Sequence, residues 1–467
     1  MKIKDFKDKK VTIIGLGLHN GGVGAAKFFS RANAKVLVTD LRSREELAES
    51  IEKLKKESIK YVLGQHRPED FINTDLVIQN PAVKSKSKYL EIARENKVPI
   101  ETDIGIFFEL CPAPIIGITG SRGKSTVSAL TARFLKRKYS EVILAGNIRT
   151  SVLTKLKKID KNSIVVLELS SWQLAGLKSH KKSPYCAAIT NIMPDHLNRY
   201  KDMEYYIRDK KKIFKWQKSK NYLILNYDDE KVREFSQEAK SQILYYSQEN
   251  KKKSDFQGSF INDGKIYFNS EEICSLKEIR LKGKHNVSNV LAAITIAKLH
   301  DVSNKSIQKT LSKFKGIEGR LEFIKSVNGI KYINDTTSTI PEACLAALDS
   351  FPKRNIILIA GGADKNLEFK KLAEVVVKRV KAIILLKGSA TDKIKEEIEK
   401  ELKLKNQRIE IIGPLDNMEE AVMESTEQAK KFDEAIVLLS PACASFGIFR
   451  HEFERGEKFN EAVALLK

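Results

Sequence analysis

The stretch IIGITGSRGKST, Ile115 to Thr126, decides how this chain is read. Its apolar start predicts a buried strand. Gly120, Ser121 and Gly123 form a turn, Lys124, Ser125 and Thr126 follow, and Val127-Ser128-Ala129-Leu130 continues as a helix. Strand, glycine-rich turn, lysine, hydroxyl and helix is the order that cradles a polyphosphate. Backbone N–H groups face the anion, the lysine neutralises the outer phosphates, and the serine hydroxyl reaches Mg²⁺. The usual P-loop has a glycine where Ile118 stands, so this is a variant of that motif. A chance Gly/Ser turn beside a lysine would not bring strand, turn and helix in this order.

Outward from this stretch, three rhythms of sequence divide the 467 residues, too many for one core. Residues 1–112 alternate short apolar strands (VTIIG, KVLVTD, YVL, DLVIQN) with polar helices, the pattern of a parallel α/β sheet. Pro112 and Pro114 interrupt it. Residues 113–314 hold a second α/β set, an antiparallel appendage over 255–281 turning at Asn262-Asp263-Gly264, and helical patterns over 286–299 and 303–314. Residues 315–467 open with a hairpin at Asn328-Gly329, a strong two-residue turn signal, and continue as a third α/β set.

Composition excludes several classes. Hydrophobic residues at 42% and charged ones at 31% fit a water-soluble globular chain. The net charge of +23 is spread over short lysine clusters such as Lys55-Lys56 and Lys251-Lys252-Lys253, without a basic block carrying aromatics. Solvated helix faces are expected, with no nucleic acid and no membrane as partner. The five cysteines form no CxxC pair, which argues against a disulfide framework or zinc site and for a reducing cytoplasm.

Further candidates lie at other predicted strand ends. Gly15, Gly17, Leu18 and His19 follow the first strand, and the next strand ends in Asp40-Leu41-Arg42. This is a Rossmann-like layout, although Asn20 breaks the GxGxxG spacing of dinucleotide binders. The loop fits a uridine nucleotide, a nicotinamide cofactor or a plain tight turn. Glu168 ends the apolar run Ile-Val-Val-Leu, where a nucleotide-bound Mg²⁺ finds a carboxylate. His196 lies just past another strand end. Lys210 falls on an apolar helical face with Met203, Tyr206, Ile207, Ile213 and Phe214. A lysine there is either paired, neutralised or modified, or it snorkels to solvent, and residue chemistry alone leaves both readings open.

Taken together, TGSRGKST (119–126), GNI (146–148), LELSSWQL (167–174), NIMPDHLNRY (191–200), YIRDKKKIF (206–214), GKHNVSN (283–289), GRLE (319–322), INDTTST (333–339), GGADK (361–365), SPACASFGIF (440–449) and FERG (453–456) resemble the Mur ligases, specifically their glutamate-adding branch. The resemblance covers essentially the whole chain. It implies three domains: a Rossmann-like N-terminal domain (1–112) for the UDP substrate, a central P-loop ATPase domain (113–314), and a C-terminal α/β domain (315–467) that binds the amino acid and closes on ATP. It implies an ADP-forming ligase of peptidoglycan synthesis that joins D-glutamate to UDP-N-acetylmuramoyl-L-alanine through an acyl phosphate. A cytoplasmic monomer is expected.

The same resemblance assigns roles. Gly120, Ser121, Gly123, Lys124, Ser125 and Thr126 would bind ATP phosphates, with Asn286 and Asn289 at the adenine and Arg320 and Asp335 closing on the nucleotide. Ser125, Glu168, His196 and a carbamylated Lys210, its carbamate derived from CO₂, would hold two Mg²⁺ ions. Asn147 and Gln173 would contact the muramoyl substrate, while Gly15, Gly17, Leu18, His19, Asp40, Leu41 and Arg42 bind its UDP. Thr337, Thr339, Lys365, Ser445 and Phe449 would line the glutamate site. Two departures stand out: Arg149 where the family has Gly, and Thr337 where it has Lys. The second keeps L-glutamate open as the added amino acid. A folylpolyglutamate synthetase is the nearest rival, and a P-loop switch or nucleic-acid ATPase is the rival of a different class.

Overall fold

The structure, a computed structural model, describes residues 1–466 apart from 19, 82, 85, 149–150, 195–199, 251–256, 282 and 353. The first sheet comprises β1 (Lys10–Ile14), β2 (Lys35–Asp40), β3 (Ile59–Leu63), β4 (Leu76–Gln79) and β5 (Ile100–Glu101). Its order is β3-β2-β1-β4-β5 and every pair is parallel. The Val and Ile of β1 and β2 suit a pleated surface covered on both faces, and Val11, Ile13, Ile14, Val36 and Val38 are buried. The strand order reverses at β1, so the loop leaving β1 opens at a switch point, where open parallel sheets bind ligands.

The second sheet holds β6 (Ile115–Thr119), β7 (Val142–Gly146), β8 (Ile164–Glu168), β9 (Cys186–Ile189), β10 (Tyr222–Asn226), β11 (Gln242–Asn250), β12 (Gly258–Asn262), β13 (Lys265–Phe268) and β14 (Glu271–Ser275). The order is β14-β13-β12-β11-β10-β9-β6-β8-β7. Strands β6 to β12 pair in parallel, and β12–β14 form the expected antiparallel appendage. Wholly buried β6 lies between β8 and β9, with Ile118 beside Glu168 and Thr119 beside Ile189. That register brings three carboxyl ends to one edge.

The third sheet has β15 (Glu322–Val327), β16 (Ile330–Asn334), β17 (Asn355–Gly361), β18 (Val380–Leu386), β19 (Glu410–Leu415) and β20 (Ala435–Leu439), in the order β15-β16-β20-β17-β18-β19. The hairpin expected at Asn328-Gly329 joins antiparallel β15 and β16, and the other pairs are parallel. The chain forms two compact units: residues 1–276 with 288–310, and 277–287 with 311–467. The helix Lys284–Leu299 contributes residues to both. Among the described residues no helix is long and apolar enough to cross a membrane.

Candidate active site

The carboxyl edge of β6, β8 and β9 carries the densest polar chemistry. Gly123 starts the helix Lys124–Leu135 at φ +83°, and a Cβ there would lie 2.2 Å from Asn289 Oδ1. Only glycine tolerates both conditions, and the contact puts Asn289 against the phosphate loop. The loop is braced from β9's extension. Asn191 O accepts from Ser121 N at 2.9 Å, and Asn191 Oδ1 accepts from Arg122 N at 2.8 Å. Ser121 Oγ takes Met193 N at 2.9 Å and lies 2.9 Å from Tyr206 OH. Neither Asn191 nor Tyr206 was anticipated as a loop brace, because each bond crosses about seventy residues or more of sequence.

Two lysines converge on one carbonyl. Lys124 Nζ donates to Gly120 O and Ser121 O, both at 2.9 Å. Lys210 Nζ donates to the same Gly120 O at 2.8 Å and lies 4.6 Å from the Tyr206 ring centroid. Lys210 is 1% exposed, which decides against the snorkelling reading. The helix Met203–Lys211 turns it inward, whereas Lys211 pairs with Glu238 and Lys212 with Asp209.

Glu168 ends β8 with 2% exposure. Its Oε1 accepts from Asn147 Nδ2 at 3.0 Å, and its buried Oε2 has no hydrogen-bond partner among the described residues. An orphaned carboxylate oxygen beside a phosphate loop, with the Ser125 hydroxyl in the loop's helix, is a hard-oxygen donor set that fits Mg²⁺. Lys210 fits such a set only as a carbamate, since an ammonium has no lone pair to give. His196 lies outside the described residues. Gln173, expected at the muramoyl group, takes part in a helix cap: its Oε1 accepts from Ser170 N at 3.0 Å.

In the first sheet, Asp40 Oδ2 accepts from Gly17 N at 3.0 Å, and Oδ1 accepts from Arg42 N at 3.0 Å. The acid thus organises the glycine loop, and Arg42 and Leu41 stay exposed beside it. Gly15 N donates to Thr39 O at 2.8 Å, and Leu18 is half-buried. His19 lies outside the described residues. Asn80 at the end of β4 donates from Nδ2 to Gly15 O at 3.1 Å, and Ser50 Oγ donates to Gly17 O at 2.9 Å. Sequence reading passed over both.

In the third sheet, Asp335 follows β16. Its Oδ1 accepts from Leu321 N at 3.1 Å, and its Oδ2 accepts from Ser338 Oγ and, at 2.9 Å, from Ser440 Oγ. Burial pushes its carboxyl up to about 6, against these hydrogen bonds and the Arg320 charge. Asn286 is buried in the first turn of its helix, one turn before Asn289. Ala363 N donates to Ala444 O at 2.9 Å, joining the loops that carry exposed Lys365 and buried Ser445, with half-buried Phe449 four residues further on. Thr337 Oγ1 donates to Gly319 O at 2.9 Å, and Thr339 N donates to Thr337 O.

Comparison with known proteins agrees with this geometry. The MurD-like N-terminal domain of Mur ligases matches residues 9–102, the Mur ligase middle domain 118–297, and the Mur ligase glutamate ligase domain 319–443. UDP-N-acetylmuramoylalanine–D-glutamate ligase of Roseiflexus sp. (strain RS-1) is 39% identical over 454 residues, covering 95% of this chain and 96% of that protein. This chain belongs to the Mur ligase family. A protein of the same name from Clostridium botulinum (strain 657 / Type Ba4) is 38% identical over 449 residues, covering 96% of this chain and 95% of that one. Among solved structures, UDP-N-acetylmuramate-alanine ligase of Thermotoga maritima shares the fold with a TM-score of 0.62 at 19% identity, covering 98% of this chain and 99% of that one. The type C pseudomurein peptide ligase of Methanothermus fervidus does so with a TM-score of 0.59 at 20% identity, covering 98% and 100%. The chain is an ATP-dependent amide ligase with the three-domain Mur fold.

The P-loop, Glu168 and Lys210 of this Mur ligase lie at one sheet edge. The Asp40 and glycine-loop residues lie on the edge of the first sheet, and Asp335, Lys365 and Ser445 on that of the third. Arg455 is among the largest fully buried side chains of the described residues, and its environment went unread. Its Nη2 donates to Thr336 O at 2.8 Å and its Nη1 to Cys443 O at 3.2 Å. The motif FERG signals the arginine but not its burial, because Glu454 and Glu457 around it read as a solvated helix.

Proposed function

We propose that this Mur ligase joins D-glutamate to UDP-N-acetylmuramoyl-L-alanine, forming ADP and phosphate, in the cytoplasmic phase of peptidoglycan precursor synthesis. The observation that carries the chemistry is the β6–β8–β9 edge, where a phosphate loop, an orphaned buried carboxylate oxygen and a buried lysine meet. The relatives' names support the substrate. Residues 1–112 would bind the UDP substrate, 113–314 ATP, and 315–467 the amino acid, in a monomer.

A carboxylate does not react with an amine until its oxygen is made a leaving group. ATP therefore phosphorylates the alanyl carboxylate, and ADP leaves. Lys124 and the loop N–H groups offset the repulsion as two anions meet. Mg²⁺ held by Ser125, Glu168, His196 and a carbamylated Lys210 would neutralise charge on the transferring phosphoryl group. The glutamate amine then attacks the acyl carbon, loses its proton, and expels phosphate. Lys365 offers a cation to one glutamate carboxylate, and the Ser445 hydroxyl and neighbouring backbone offer donors to the other. Buried Asn286 and Asn289, one helical turn apart, would bracket the adenine, and Arg320 and Asp335 would close on the nucleotide.

The test is ATP-dependent phosphate release with purified enzyme across UDP-muramoyl acceptors and enantiopure amino acids. Release that requires both UDP-N-acetylmuramoyl-L-alanine and D-glutamate is expected. Turnover with L-glutamate alone would overturn the stereochemistry and leave the ligase chemistry standing.

A further inference from the structure

Asn147 grips Glu168 at two points. Strands β7 and β8 run parallel with Gly146 opposite Glu168. One residue on, Asn147 N donates to Glu168 O at 2.9 Å, and Asn147 Nδ2 donates to Glu168 Oε1 at 3.0 Å. The backbone bond fixes where the Asn147 side chain starts, and the amide bond fixes how the carboxylate turns. Gly146 makes this approach possible. Its φ is +100°, and a Cβ there would sit 2.2 Å from Glu168 O. A side chain at 146 would push the strand ends apart and lengthen both bonds.

The choice of an amide has a chemical consequence. A neutral donor fills one carboxylate oxygen without cancelling the charge, whereas Lys or Arg would pair with it and compete with a cation. An apolar side chain would leave both oxygens unfilled and the group free to rotate. With Oε1 taken, the buried Oε2, unpartnered among the described residues, is the oxygen left for a cation.

We infer that Asn147 is a positioning residue: it locks Glu168 so that Oε2 is presented to the metal. This rests on Glu168 being a Mg²⁺ ligand, and it differs from the expectation that Asn147 contacts the muramoyl group. Partners that orient a metal ligand typically change metal affinity about 10–100-fold when removed.

The experiment uses Mn²⁺ as a paramagnetic probe, titrated by EPR into the full-length enzyme with a non-hydrolysable ATP analogue. Calorimetry measures UDP-N-acetylmuramoyl-L-alanine binding to the same samples. Asn147→Leu and Asn147→Ala should each weaken Mn²⁺ roughly tenfold or more, with melting temperature and UDP-substrate affinity close to wild type. Two variants guard against one that misfolds. Glu168→Gln should weaken Mn²⁺ at least as much, and adding Asn147→Ala to it should cost little more. Weakened Mn²⁺ in Glu168→Gln but not in either Asn147 variant would overturn the positioning role alone. Unchanged Mn²⁺ binding in Glu168→Gln would overturn the metal-ligand reading beneath it. Loss of UDP-substrate affinity with Mn²⁺ binding intact would return Asn147 to the substrate.

Discussion

Replacing Lys210 by Met should abolish ligation while scarcely changing stability, and the reason lies in its neighbours. The ammonium donates to Gly120 O at 2.8 Å and sits over the Tyr206 ring at 4.6 Å. Losing a charge-assisted bond costs about 1.5–3 kcal/mol, and losing a desolvated cation–π contact costs about 2 kcal/mol. Against this, the unmodified side chain is an ammonium at 1% exposure, and keeping an ion out of water costs several kcal/mol. Gly120 O is not orphaned, because it still receives Lys124 Nζ at 2.9 Å. Thr119 Oγ1 keeps its own bond to Leu169 O at 2.7 Å. The terms nearly cancel, so urea unfolding should move by no more than about 1–2 kcal/mol. Lys210→Ala removes three methylenes, about 2–3 kcal/mol, and opens space beside the loop. Formate or acetate should partly restore its phosphate release by standing in for the carbamate. Full activity of Lys210→Met in CO₂-depleted buffer would refute the modified-lysine reading. A stability loss beyond about 4 kcal/mol would refute the cancellation.

Lys124→Ala should abolish phosphate release yet leave UDP-substrate affinity within about twofold by calorimetry, because Lys124 lies on the β6 loop and the proposed UDP site is the β1 loop. Gly123→Ala should weaken binding of an ATP analogue and lower stability by at least about 1–2 kcal/mol in urea, from left-handed strain and the Asn289 clash. Asp103 is buried at its helix start, and burial lifts its carboxyl from 3.8 to about 6. Such an acid favours the fold while protonated, and that favour is lost as pH rises through about 6. Asp103→Asn should therefore gain on wild type between pH 4 and about 6, by at most about 3 kcal/mol, then plateau; a gap independent of pH in urea melts would contradict this. His180 Nε2 lies 2.6 Å from Glu101 Oε2 and Nδ1 3.1 Å from Glu109 Oε1, chiefly the first of which raises its pKa. The contribution of His180 is full below its unfolded pKa and lost as pH rises through the raised one, so His180→Gln should cost roughly 1–3 kcal/mol at pH 5.5 and much less at pH 9 in the same assay.

What the sequence made legible follows from how far each interaction reaches. The P-loop was readable because strand, turn, lysine and helix are consecutive, and Glu168 because an acid at the end of an apolar run has few other uses. Lys210 was readable as a face, not as a contact: its spacing with Tyr206 put it on an apolar stripe and left snorkelling open, and only the fold shows that it turns inward to meet Gly120 O. Strand β5 has two residues, too few to make a pattern, and the apolar run Ile243–Tyr246 of β11 was passed over. The cluster around Asp335 draws Leu321, Ser338 and Ser440 from three segments, and no spacing rule links them.

Asn147 shows most clearly where local reading stops. Its identity invites a substrate contact, because a polar residue after a strand end normally faces solvent or ligand. Its partner is decided instead by the register of β7 against β8, which sets Gly146 beside Glu168. A shift of one residue would turn the amide to the other face of the sheet and leave Glu168 Oε1 unfilled. A strand end thus specifies chemistry only together with its neighbour, and the neighbour of β7 is the strand that ends in Glu168. The motif GNI and the motif LELSSWQL are therefore two halves of one device, joined by a parallel register and by a glycine small enough to let them touch.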